Sequence, residues 1–244
     1  MTELDPQAFF TESRNILDAH HDRRERIIKV SRDITALSKK MIFALHRAIQ
    51  ANNSNPDYKE ADQRQKEIIT LFKKLAGDIQ GLHYHRYSKS FSGGFEEFIE
   101  AVAFYHFLIH KTVITKEQVD GYFKDEQGQM WVPVKKEDYI LGLADFTGEL
   151  MRYAINVVST GKYDQAMVIC RLLRKIDLGR VDFDIIATSY MPQLSKKLGT
   201  LKGSIKKVEQ ACYTFQIRGS EYPEEMYLSI IKNHQDQYEQ EQKS

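Results

Sequence analysis

Two cysteines, five prolines and one tryptophan among 244 residues rule out several kinds of protein. Cys170 and Cys212 show neither paired nor metal-type spacing, so there is no disulfide framework and no zinc knuckle. They read as buried free thiols of a reducing compartment, which points to the cytoplasm or the nucleus. Long apolar runs are also missing. The longest, Ala101 to Ile109, is interrupted by His106 and is far shorter than the roughly 20 residues a bilayer requires. With 28% of residues charged, no membrane protein is expected. Met1-Thr2-Glu3-Leu4-Asp5 has neither a basic leader nor an apolar signal core. Charge of one sign is lacking as well. The net charge is +1, so any attraction to nucleic acid must come from local patches or from a partner's surface.

Helical periods fill the chain. Asp5-Pro6 is a start signal, Asp at the N-cap and Pro at the first helical position. No further Pro or Gly follows until Pro56, which permits a first helix of roughly 45 residues. Ile27, Val30, Ile34, Leu37, Met41, Ala44 and Ala48 step by three and four and form its buried seam. Phe9-Phe10 reads as an anchor for this helix. Ala51 to Pro56 makes a turn, and a second helix covers about 57–80. Ser88 to Gly94 reads as a connection into a third helix at about 95–112. Thr115-Lys116-Glu117-Gln118 is a capping box opening a short fourth helix, and 125–135 reads as an extended loop. Helices at about 136–160 and 163–178 end at Gly161 and Gly179. One at about 184–217 bends near Pro192 and stops at Gly219, and a last one opens at Pro223. The expected fold is all-α, a single-domain bundle of about seven helices spanning 1–244, with a polar tail after about 237.

Within this bundle, two helices carry acids where apolar groups are expected. From Phe98 to Ile109 the only formal charge is Glu100, and Glu97 lies one turn before it on the same side. From Tyr139 to Val158 the only charges are Asp145, Glu149 and Arg152, on one strip. Burying an unpaired carboxylate costs several kcal/mol, so such a group is protonated, ion-paired or metal-bound. Carboxylate oxygens at this density suit Mg²⁺ or Mn²⁺ rather than zinc. His106 falls on the opposite side of its helix from Glu97, against a histidine-containing di-iron site. Two other readings stand beside a metal site. The strip can be the wet face of an amphipathic helix with a Glu149–Arg152 pair, or the acids can serve buried structural hydrogen bonds.

These residues carry a resemblance. Phe95-Glu96-Glu97-Phe98-Ile99-Glu100-Ala101-Val102-Ala103-Phe104, with Leu141 to Arg152, resembles the TRAX branch of the translin family. Leu17 to Thr35 is similar to that branch's first helix, and Lys206 to Tyr213 with Arg218-Gly219-Ser220-Glu221 to its C-terminal signature. The likeness runs in order over about residues 9–235. It implies a helical subunit that assembles with translin into a closed hetero-oligomeric shell and supplies an Mg²⁺-dependent endoribonuclease centre. The substrates implied are nicked small-RNA passenger strands and tRNA precursor fragments. Carried over by motif, Glu97, Glu100 and Asp145 are the catalytic acids, and Glu149 completes the metal set. The 125–135 loop is short for the branch, and the N-terminus lacks the basic extension of relatives.

His85, Arg86 and Lys89, in a stretch that interleaves rings and cations, either contact RNA single strands or are ordinary surface. Arg152 either holds a phosphate or pairs with Glu149. Arg23, Arg24, Arg26, Lys29 and Arg32 are a solvated face or an RNA track. Two further functions remain open, a non-catalytic assembly partner of translin and a nucleotide pyrophosphatase of the all-helical Glu-x-x-Glu type. The long seam also predicts that the chain alone is poorly soluble or unstable.

Overall fold

A computed structural model describes residues 6–51 and 56–218, and, within these, the side chains outside 178–190 and 215–218. The described residues form seven helices and no strands. They are α1 (Pro6–Gln50), α2 (Lys59–Asp78), α3 (Leu82–His110), α4 (Lys116–Gly121), α5 (Lys136–Ser159), α6 (Tyr163–Tyr190) and α7 (Pro192–Arg218). The chain groups into two compact units, 1–142 and 143–244.

In the first unit α1 packs on α2 and α3. Ile27, Val30, Ile34, Met41 and Ala44 of the expected seam are buried, and Leu37 and Ala48 are half-buried. Before His20 the helix is almost wholly exposed. Phe9 and Phe10 are 55% and 70% exposed, so they anchor nothing among the described residues.

The third helix departs from expectation. Ser88 to Gly94 is no connection, because α3 runs unbroken from Leu82 to His110. Tertiary contact overrides the poor propensity of its glycines. A Cβ at Gly94 would lie 3.0 Å from Ser31 Oγ and 3.4 Å from Ile34 Cγ2, so the glycine lets α3 press against α1. Ser92 Oγ lies 3.0 Å from Ser88 O, within reach of the preceding turn. At the other end Lys111 takes a left-handed conformation and donates its N–H to Phe107 O.

Phe72, Phe95, Phe98 and Phe123 are fully buried, with ring centroids 4.5 to 5.8 Å apart. Thr115 makes the expected capping box on α4. The segment after it is more than an extended loop, since Lys124 and Met130 form an antiparallel bridge. Asp125 Oδ1 accepts from the N–H groups of Gln127 and Gln129, and Gly128 adopts φ +80° at the tip. Tyr84 Oη donates to Pro133 O at 2.6 Å, tying the returning strand to α3.

In the second unit Leu194, Leu198, Leu201, Ile205, Val208 and Cys212 of α7 are buried, and α7 packs along α6. Their alternating steps of four and three are a heptad seam. Both cysteines are free and buried, and burial pushes the Cys212 thiol up to about 11. Gly161 ends α5 with φ +75° while Lys162 N donates to Val157 O, a Schellman arrangement.

Gly179 does not end α6, which continues to Tyr190. A helical glycine costs only about 1 kcal/mol, whereas proline removes an N–H and clashes with the preceding turn. The break therefore falls at Pro192, which starts a new helix as its first residue rather than bending one. The Asp5 cap, the Asn-rich turn at 52–55 and the helix expected from Pro223 lie outside the described residues. No described helix is long and apolar enough to cross a membrane.

Candidate metal centre

Glu97 and Glu100 sit on α3 one turn apart, among Phe98, Ile99, Ala101 and Val102, all fully buried. Both glutamates are half-buried. The rise of α3 past α1 sets their surroundings, and Lys39 of α1 places Nζ 3.2 Å from Glu97 Oε1. These residues belong to the first unit.

Asp145 and Glu149 sit one turn apart on α5, in the second unit, again half-buried beside the buried Phe146 and Leu150. Lys197 Nζ of α7 lies 2.7 Å from Asp145 Oδ2, with both side chains no more than a third exposed. Arg152 Nη1 lies 3.4 Å from Glu149 Oε2, the local pair read from spacing. Neither lysine was expected from the sequence. Lys39 and Lys197 come from other helices, and only the fold brings them to the acids.

Among the described residues no three His, Cys, Asp or Glu side chains are gathered closely enough to hold a metal ion. Each helix offers a pair of half-buried carboxylates one turn apart in an apolar stretch. As donors they fit Mg²⁺ or Mn²⁺. They are oxygen-only and half-exposed, and Glu97, Asp145 and Glu149 face amine or guanidinium groups that a divalent cation can replace.

One acid escaped the sequence reading. Asp138, in the first turn of α5 and within the first unit, is 3% exposed, and its Oδ2 is buried without a hydrogen-bond partner. Burial pushes its carboxyl up to about 6, against the opposing hydrogen bond from Ser92 and the charge of Lys135. Its position at a helix start made it look like an ordinary N-terminal acid. The available signal was Gly142, one turn later on the same face. A Cβ there would lie 2.7 Å from Ile99 Cβ and 2.8 Å from Glu96 O, which marks a helix face pressed onto α3.

His85, Arg86 and Lys89 lie on the first turns of α3 and are exposed. Arg86 hydrogen-bonds the His20 imidazole, whose Nδ1 lies 2.6 Å from Tyr87 Oη. Burial, then the Arg86 charge, lowers the His20 pKa.

Solved structures of similar fold include apo-NeC3PO, with TM-score 0.66 and 20% identity, covering 87% of this chain and 98% of that one. Another is the AfC3PO–duplex RNA complex, with TM-score 0.61 and 22% identity, covering 87% and 99%. Translin-associated protein X of Mus musculus is 33% identical over 96% of this chain and 86% of its own length. Translin of Gallus gallus is 25% identical over 87% and 93%. Residues 22–219 match the translin family, and with a seven-helix fold and a higher identity to the TRAX relative than to translin, the chain belongs to that family.

Proposed function

We propose that this chain is the TRAX-type subunit of a translin complex, and that Glu97, Glu100, Asp145 and Glu149 form its Mg²⁺-dependent endoribonuclease centre. The observation that supports this reading is the placement of four half-buried carboxylates in apolar helix stretches, each pair one turn apart. Bound Mg²⁺ or Mn²⁺ would polarise the phosphoryl oxygen and acidify a water. Glu97, Glu100, Asp145 and Glu149 supply oxygen donors, and a carboxylate of Glu97 or Glu100 accepts the proton of the attacking water. Lys39 and Lys197 hold the charge of Glu97 and Asp145 when no cation does so. His85 and Lys89, exposed on α3, meet single-stranded RNA, and Arg152 lies beside Glu149, where it can take a phosphate. Translin contributes further RNA-binding surface, consistent with a net charge of only +1. Buried free thiols suit a cytoplasmic or nuclear complex.

A second reading is favoured by the lysine pairs. Acids already neutralised by Lys39 and Lys197 can be purely structural, leaving the chain as a non-catalytic assembly partner. The double variant Glu100→Gln/Asp145→Asn, co-expressed with translin, separates the two. The enzyme reading expects an assembly of normal size in which Mg²⁺-dependent cleavage of single-stranded RNA falls at least about 100-fold. Cleavage that persists overturns the site, and wild-type complex that never cleaves leaves the assembly role.

A further inference from the structure

The turn between α2 and α3 and the 124–133 hairpin enclose a half-open cavity of about 550 Å³, lined wholly by residues of the first unit. The volume falls within the range of small-molecule sites and admits a nucleoside. Trp131, the only tryptophan of the chain, lines it and is backed by the Phe123 ring at 5.5 Å. Met130 adds a second apolar surface. Polar groups share the lining. Asp125 takes both backbone N–H bonds on Oδ1, which leaves Oδ2 as an acceptor, and the amides of Gln80 and Gln129 offer donors and acceptors. Gly81 forms part of the wall with φ 59° and ψ −129°, a conformation open in practice to glycine alone. A glycine there lets backbone approach a ligand closely. The exposed His85 completes the lining with an imidazole.

A flat apolar wall, hydrogen-bonding amides and a carboxylate acceptor, with an exposed imidazole beside them, match a planar heteroaromatic that carries phosphate. We propose that this cavity is a nucleobase pocket, which stacks one unpaired base of the RNA on Trp131 and leaves its phosphate to His85. This rests on the RNA reading above, and adds that the substrate must present a base free of pairing.

Emission from Trp131 reports on the pocket directly. The complex co-expressed with translin is titrated with GMP, with AMP, and with ribose 5-phosphate, which lacks a base. The same titrations on Trp131→Phe complex remove the partner's contribution. The proposal expects a saturable emission change with the nucleotides, none with the sugar phosphate, and none in Trp131→Phe. Trp131→Ala is expected to weaken single-stranded RNA binding roughly tenfold, as loss of one stacked base does. Asp125→Asn, which keeps the turn's acceptor, is expected to weaken it less.

Equal responses to ribose 5-phosphate and nucleotides would overturn the proposal, as would a change of undiminished size in Trp131→Phe. So would hairpin variants that bind nucleotide normally yet fail to assemble with translin, since the cavity would then seat protein. The readout needs no hydrolysis. Intact quenching without cleavage sinks the nuclease centre alone, and intact cleavage without quenching sinks the pocket alone.

Discussion

Asp138 is the residue whose chemistry departs most from its sequence appearance. Its carboxyl titrates near 6 when folded, against an ordinary value of 3.8. Between these values the folded chain binds more protons than the unfolded one, so this group's contribution to stability falls as pH rises from about 4 to 6. Above that range it leaves a standing penalty of about 2–3 kcal/mol, from roughly two pKa units at 1.36 kcal/mol each. Asp138→Asn should therefore unfold at higher denaturant concentration than wild type at pH 7.5, and the gap should close below pH 4.5. A constant gap across that range would show that burial does not govern the group. Lys197 offers a second test at this scale. It competes for Asp145 with any cation bound there, so Lys197→Met should lower the Mg²⁺ concentration giving half-maximal cleavage about two- to fivefold, the worth of a partly exposed pair. An unchanged Mg²⁺ dependence would separate Asp145 from the metal.

Glycines decide how the helices meet. Gly93 is exposed, sits mid-helix in α3, and a Cβ there meets nothing within 4 Å. Gly93→Ala should stabilise the protein by about 0.5–1 kcal/mol in chemical denaturation. Gly142→Ala pushes a Cβ into Ile99 Cβ and the Glu96 carbonyl, neither the free end of a flexible chain, and should cost about 1–3 kcal/mol. If Gly142→Ala proves neutral, α5 does not lie as close to α3 as described. The same residues show where sequence reading succeeds and fails. The seam of α1, the capping box at Thr115 and the stop at Gly161 depend on neighbours within a turn or two, and all were legible. Gly94 and Gly179 read locally as breaks, yet α3 and α6 pass through both. For Gly94 the reason is a contact with Ser31, more than sixty residues away in the chain and invisible to local pattern.

At the scale of the whole molecule, the all-helical fold and the family were written in the order of several motifs spread along the chain, which a single helix could not provide. The acidic pairs were legible too, because apolar segments make lone carboxylates conspicuous. Their partners Lys39 and Lys197 were not, nor was the Trp131 cavity, since each joins segments distant in sequence. The near-neutral charge and the exposed Phe9, Phe10, Ile16 and Leu17 lead to an expectation about behaviour in solution. Expressed alone, the chain should self-associate at micromolar concentration in sedimentation velocity, and co-expression with translin should suppress this. A monodisperse solitary monomer would remove the argument for a partner surface.

The exposed stretch of α1 before His20 makes that helix a graded ruler of protection. Outside a packed setting a helix of this length is marginal in water, whereas the turns from Ile27 onward are locked into the core. Amide deuteration should therefore run rapid at Phe9, slow past Ile27, and all but halt near Met41. Whatever molecule covers the front turns in a cell would flatten the gradient, and so announce itself in the exchange rates of a single helix.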